Sequence, residues 1–338
     1  MRKTMRKAFI LALLLVSFFV VSCDQQQSFL INPHQGSEGV TIEFLPDMPP
    51  AAVYEGAFYL GLKLTNKGAS EIKREQGFLS LALETDYLGF SAEDVQVDDQ
   101  HAAFDSAERA KFNLIGKTKY DPVGEDTLVT LQLRTKPLDP QLETLTTNIL
   151  ATICYEYETQ ATANICIDTD PTNMHMTEKV CQMHDTSLTD QGAPIAVTNV
   201  QQTLLTGIGG YVQPQFIITV RNAGNGQPLK ANTAEQACGS GPFSQQALAV
   251  QPKRALDTIK LKDLSFAGFS LANGQFECSP AANDGIFFAL ENGVGTIKCT
   301  LKGGLLKQSQ ESFLTNLFIV LDYAFTTTAS RQVQIKRG

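Results

Sequence analysis

NILATICYEYETQATANICI, residues 148–167, and NLFIVLDYAFTTTASRQVQI, residues 316–335, are two versions of one stretch. A constant offset of 168 matches Asn148 to Asn316, Tyr155 to Tyr323, Tyr157 to Phe325, Thr159 to Thr327 and Ile167 to Ile335. Apolar residues recur at every second position, the period of a strand with one face in a core. Ile149, Ile153, Tyr155 and Tyr157 share that face with Ala163, Ile165 and Ile167. The spacing is read as a hairpin turning near Gln160, buried against an opposite sheet about 10 Å away. Such a turn sets Cys154 and Cys166 opposite one another on the other face, within disulfide reach. Cys166 with Cys181 is the competing pair.

Working outward, the same offset lays Val129, Leu131 and Leu133 on Ile297, Cys299 and Leu301. Further upstream the offset is 156, and Leu60, Leu62, Leu64, Asn66 and Gly68 fall on Phe216, Ile218, Val220, Asn222 and Gly224. Three ordered matches indicate tandem units, the second carrying about twelve extra residues. Val40, Ile42 and Phe44 alternate in the same way, as do Leu79, Leu81 and Leu83. Many short strands cut by Gly, Pro and Asn turns predict an all-β protein of two tandem immunoglobulin-like antiparallel β-sandwiches. The first is expected over residues 39–170, a linker over 171–191 and the second over 192–338. The one helix-like piece is near Ser106 to Lys111.

Before the sandwiches stands Met1–Cys23, with a basic head (Arg2, Lys3, Arg6, Lys7), an apolar run and a single cysteine. That is the plan of an export signal helix, too short for a spanning segment of roughly 20 residues. Val20-Val21-Ser22-Cys23 resembles the lipobox of prokaryotic lipoproteins, which implies cleavage before Cys23 and lipidation of its thiol. Residues 1–22 are then the signal peptide and 23–38 a polar tether. The implied address is the extracytoplasmic face of the cell membrane, with the lipid as the membrane contact.

Four of the 27 basic residues leave with the signal, so 23 remain against 35 acidic ones and the formal charge moves from −8 to about −12. An acidic surface without a Lys/Arg stripe argues against nucleic acid as a partner. Six cysteines follow Cys23: Cys154, Cys166, Cys181, Cys238, Cys278 and Cys299. An even number in an exported chain reads as a disulfide framework. None falls in residues 24–153, so that part must fold on its core alone.

Cys154-Tyr155-x-Tyr157-x-Thr159, Cys166-Ile167-Asp168, Cys181 and Gln191-Gly192-Ala193-Pro194 together resemble a group of archaeal exported proteins. Those are built from tandem immunoglobulin-like domains of the cell-adhesion-related (CARDB-like) kind. Leu64-Thr65-Asn66-Lys67-Gly68 and Val220 to Gly224 are similar to the CARDB turn in which Asn-x-Gly closes a strand. The resemblance implies fold and location and carries no enzymatic activity.

Cys166 to Asp185 (CIDTDPTNMHMTEKVCQMHD) holds the candidate ligands. Asp168, Asp170 and Asn173 offer oxygens of the kind Ca²⁺ takes, although the run lacks the glycine and final Glu of an EF-hand loop. His175 and His184, with Met174, Met176 and Met183, are soft donors of the kind copper takes. The plainer reading is an Asp-Pro turn in a linker, with no cofactor. Ile115-Gly116-Lys117-Thr118 lacks the leading glycine of a phosphate loop, and Gly239-Ser240-Gly241 lacks the spacing of a nucleophile elbow. Only four histidines exist, His34, His101, His175 and His184. The chain therefore reads as a non-catalytic, lipid-anchored structural or binding protein of the adhesion type, its partner an envelope protein or glycan. Phe318 and Val320, apolar on the outward face, are its candidate contact patch. The alternative is a solute- or metal-binding lipoprotein using residues 166–185.

Overall fold

The computed structural model of the chain describes residues 32–89, 95–97, 101–106, 109–170, 178–189, 191–207, 209–239, 255–282, 285–309 and 311–338. The signal helix and Cys23 lie outside these. The first half supplies β1 (Val40–Phe44), β2 (Ala52–Tyr54), β3 (Ala57–Asn66), β4 (Ile72–Ala82), β5 (Leu88–Gly89), β6 (Val95–Val97), β7 (Ala102–Ser106), β8 (Arg109–Leu114), β9 (Asp126–Thr135) and β10 (Thr144–Asp168). The second supplies β11 (Thr186–Ser187), β12 (Ile195–Thr206), β13 (Tyr211–Asn222), β14 (Gln227–Leu229) and a one-turn helix, α1 (Ala234–Ala237). It continues with β15 (Thr258–Phe266), β16 (Phe269–Ser270), β17 (Phe276–Ser279), β18 (Ile286–Ala289), β19 (Val294–Leu301), β20 (Leu306–Lys307) and β21 (Ser312–Lys336).

One sheet, ordered β1-β3-β9-β5 with β6 on β9, belongs to the first half. A second, β11-β12-β13-β19-β17 with β20 on β13, belongs to the other. The third has ten strands and draws on both halves, in the order β16-β15-β21-β10-β4-β8-β7 with β2, β14 and β18 at its margins. Pairing is antiparallel except for β2 on β21. This is the all-β, sandwich-like class that the alternation predicts. Of the stretch near Ser106 to Lys111 where a helical turn was expected, Ser106 ends β7 and Arg109 to Lys111 begin β8, while 107 and 108 lie outside the described residues. Ala110, Phe112 and Leu114 are buried at every second position there, and β8 pairs with β4. From Arg109 on, strand periodicity prevails.

The expected hairpin at Gln160 is not formed. Thr144 to Asp168 is one continuous strand, paired residue for residue with β21 from Thr144↔Lys336 to Asp168↔Ser312. The reason lies in Thr159-Gln160-Ala161-Thr162, which has no Gly, Pro or Asn to reverse the chain and has β-branched threonines that favour extension. Odd-numbered residues from Thr147 to Ile167 stay buried without a break. Cys154 and Cys166 are therefore about 40 Å apart along one strand and do not pair. The competing pair is the one formed, Cys166 with Cys181, and Cys154 bonds Cys238, a pairing the sequence did not suggest, which brings α1 onto β10. Cys278 and Cys299 stand opposite one another on β17 and β19 and form the third disulfide.

The long ribbon carries an internal two-fold. The offset of 168 maps Thr144–Asp168 onto Ser312–Lys336, and Glu156 is paired with Ala324, its own mate in the repeat. Each long strand begins in its own half and ends in the other. Leu150 to Tyr155 pair with β4, and Phe318 to Asp322 pair with β15. Beyond the axis, Thr159 donates to the carbonyl of Ile195 (2.7 Å) in β12, while Gln334 to Lys336 pair with β2. One apolar core runs through both halves, from Val40 to Ile335, and residues 32–338 form one compact unit.

Four rings close around the axis: Tyr155, Tyr157, Tyr323 and Phe325, with neighbouring centroids 5.5 to 6.4 Å apart. Burial pushes the three tyrosine hydroxyls well above their ordinary range, so they serve as neutral hydrogen-bonding groups. Tyr155 takes the N–H of Val40 (3.1 Å), and Tyr157 takes that of Ser70 (3.2 Å). Tyr323 bonds the Thr159 hydroxyl (2.9 Å). The Asn-x-Gly turns are duplicated down to their bonds. Asn66 Nδ2 donates to Ser70 O (2.8 Å) and Asn222 Nδ2 to Gly226 O (2.9 Å), while Gly68 and Gly224 each donate to the matching Oδ1 at 3.2 Å. A Cβ on Gly68 would collide with the Tyr157 hydroxyl and with backbone carbonyls. The turn therefore fits only glycine.

Candidate functional site

The segment after β10 is held by the Cys166–Cys181 disulfide and by the amide of Cys181, which donates to Ser312 Oγ (3.2 Å). Asp168 and Asp170 are both buried beside it. Their neighbourhood already contains a cation. The Lys179 ammonium is bonded to the Asp168 carboxylate and donates to the Asp170 carbonyl (2.8 Å), while the Asp170 N–H donates to Asp168 Oδ1 (2.9 Å). A fixed positive charge thus occupies the position in which bound calcium would have to compete. His184 is exposed, its ring Nδ1 3.1 Å from the Gln182 carbonyl. Asn173 and His175, with Met174 and Met176, lie outside the described residues. Among the described residues no three His, Cys, Asp or Glu side chains gather as a metal-ligand group.

The outward patch differs in composition from the expected pair. Phe318 is about half exposed (49%), but Val320 is partly covered, paired with Gln160 on one side and Asp263 on the other. Leu314, on the same face, is more exposed than either at 62%.

A polar site that the sequence did not suggest lies on the two-fold. A cleft of about 330 Å³ there is lined by Glu156, Glu158, Asp322, Lys262, Gln160 and Asn232, among others. Glu158 and Asp322 are cross-strand partners, far apart in sequence. Like charges so placed repel, and Lys262 stands between them, 2.5 Å from Glu158 and 3.3 Å from Asp322. Burial raises Glu158, but hydrogen bonds from Gln160 and Lys262 more than offset it and hold the carboxyl below its ordinary range. Burial also raises Asp322, and there Lys262 only partly compensates. Glu156 is pushed up by burial, against the amides of Asn232 (2.8 Å) and Ala234 (2.9 Å), which its carboxylate accepts at the start of α1. Each carboxylate is thus committed to a donor of the fold. The signal for this cluster was present as charged residues at alternate positions in a core strand, but their partners come from β15 and from the turn before α1.

No family model matches the chain, and no curated protein matches it. Several solved structures show faint likeness. AvmM, which catalyzes macrocyclization in alchivemycin A biosynthesis, is 15% identical, with 34% of this chain and 72% of that one covered, at a TM-score of 0.18. BspA_C_WT is 9% identical over 87% of this chain and 97% of that one, at 0.16. The serine-rich repeat protein Srr2 from Streptococcus agalactiae is 10% identical over 87% and 90%, at 0.18. At these scores none carries an argument about fold or role.

Proposed function

We propose that the chain is a lipid-anchored, non-catalytic binding or structural protein on the extracytoplasmic face of the cell membrane, of the CARDB-like adhesion kind. The observation that carries the reading is the disulfide framework: three disulfides brace an all-β body, as suits an oxidising compartment. No helix among the described residues is long and apolar enough to cross a membrane; the tether is assigned to the lipid on Cys23 from the lipobox-like Val20 to Cys23 alone. The commitment of Glu156, Glu158 and Asp322 to structural donors supports a surface that binds without reacting. The metal-binding alternative is disfavoured by Lys179, which already neutralises Asp168. Metabolic labelling with a lipid precursor tests the anchor. Label on the wild type and none on Cys23→Ser is the expected result; an unlabelled wild type refutes the reading.

A further inference from the structure

The repeat lets one half serve as a worked example for the other. Register fixes the correspondence: Val40, Ile42, Glu43 and Phe44 lie opposite Asn66, Leu64, Lys63 and Leu62. In the other half Ile195, Val197, Asn199 and Val200 lie opposite Asn222, Val220, Thr219 and Ile218. On the side of β12 away from β13, the backbone is closed. The Gln191 carboxamide accepts from Val197 N–H (2.8 Å) and donates to Val197 C=O (3.1 Å), so a side-chain amide stands where a peptide group of a further strand would. β11 then pairs Ser187 with Asn199 and Thr186 with Val200, and Leu188 N–H donates to Thr198 O (2.9 Å).

The matching edge of β1 is open beyond Val40, whose backbone groups are taken by the Tyr155 hydroxyl. Lys67 donates to Gly39 and Leu45 to Gly61. The alternation of an antiparallel ladder between those bonds turns Ile42 N–H and C=O away from β3. Neither has a partner among the described residues. Gln35, 156 positions before Gln191, is exposed at the surface. A cleft of about 220 Å³ runs along Val40 to Glu43, with Pro194, Asn225, Phe325 and Thr327 among its walls. Glu38 and Glu43 share one ammonium at its rim, that of Lys67.

We propose that the β1 edge is a strand-addition site for an extended segment of a partner polypeptide, pairing antiparallel with Thr41 to Phe44 and placing a basic side chain beside Glu38 and Glu43. The direction follows β11 on β12, and the charge follows from three carboxylates, Glu38, Glu43 and Asp126, facing two lysines, Lys67 and Lys63. In such recognition main-chain bonds supply affinity and alternate side chains supply choice. The assignment names the partner class for the binding reading above and rests on it, but is independent of the lipid.

The test titrates the isotopically labelled mature chain with a synthetic peptide of alternating valine and threonine around a central lysine. The expected result is a saturable shift and exchange protection of the Ile42 amide. N-methylating the peptide amides that face β1 should weaken binding by about tenfold, and Glu43→Lys should weaken it as well. An unmoved Ile42 amide, or equal affinity for the N-methylated peptide, overturns the site. Self-association of the chain through Ile42 that excludes the peptide makes a second copy the occupant and overturns the choice of partner. Lipid labelling separates the two readings: label with Ile42 unmoved leaves the anchored protein without this site, whereas pairing at Ile42 without label leaves the site and removes the anchor.

Discussion

In the first half β1 ends at Phe44 with its outer edge uncovered beyond Val40, whereas in the second β12 runs on to Thr206 beneath β11 and the Gln191 carboxamide. The same contrast holds for covalent bracing. The first half's own sheet has no cysteine, while Cys278–Cys299 lies within the second half's sheet and Cys166–Cys181 pins the strap that carries β11. Duplication therefore preserved the framework, namely the long strands, the ring cluster and the Asn-x-Gly turns. What differs is the closure of the edges. A framework shared by both halves and closures peculiar to each should respond differently to substitution.

Removing disulfides should have the largest effect. In the chain-entropy picture the 84-residue separation of Cys154 and Cys238 contributes about 4–5 kcal/mol and the 15-residue separation of Cys166 and Cys181 about 3. Denaturant melts of the paired alanine variants should rank in that order. Next come the turns. Gly68→Ala drives a methyl into the Tyr157 hydroxyl and into the carbonyls of Glu38 and Gly192, for a loss of about 2–3 kcal/mol. Gly224→Ala meets Pro194 Cβ at 2.6 Å and the Phe325 ring at 3.3 Å, a lesser overlap than at Gly68, and should lose less, about 1–2 kcal/mol. Equal losses would show that the two turns are held alike.

Tyr155→Phe leaves Val40 N–H without its acceptor and should cost about 1–3 kcal/mol. Tyr323→Phe should cost less, since Thr159 keeps its bond to Ile195. The smallest effect is at the two-fold cleft. The folded value of Glu158 lies below its ordinary 4.5, so its stabilisation is present above that pH and is lost as pH falls through the folded value. The stability deficit of Glu158→Gln should accordingly shrink between pH 7 and pH 3. A deficit that grows on acidification would contradict the assignment.

Much of this was legible in sequence. Period-two alternation identified the strands, the offsets of 168 and 156 identified the halves, and Asn66-x-Gly68 matched Asn222-x-Gly224. The path of Thr144–Asp168 was harder to read, because a hairpin and a straight strand place the same odd residues inward; only the missing turn residues at 159–162 distinguish them. The Cys154–Cys238 bond joins positions whose approach depends on α1 docking against β10 and β4, which no local pattern encodes. At Asp168 the carboxylates were visible but their ammonium partner was not, since Lys179 reaches them only once the strap is folded back. The Glu158–Lys262–Asp322 network likewise needs three strands in register.

The two long strands cross between halves, so that neither half completes its core alone. This mutual dependence is tested by producing residues 24–174 and 175–338 as separate chains and following each, and their equimolar mixture, by thermal unfolding. Neither piece should show a cooperative transition, and the mixture should show a single one. A cooperative transition in either piece by itself would contradict that dependence.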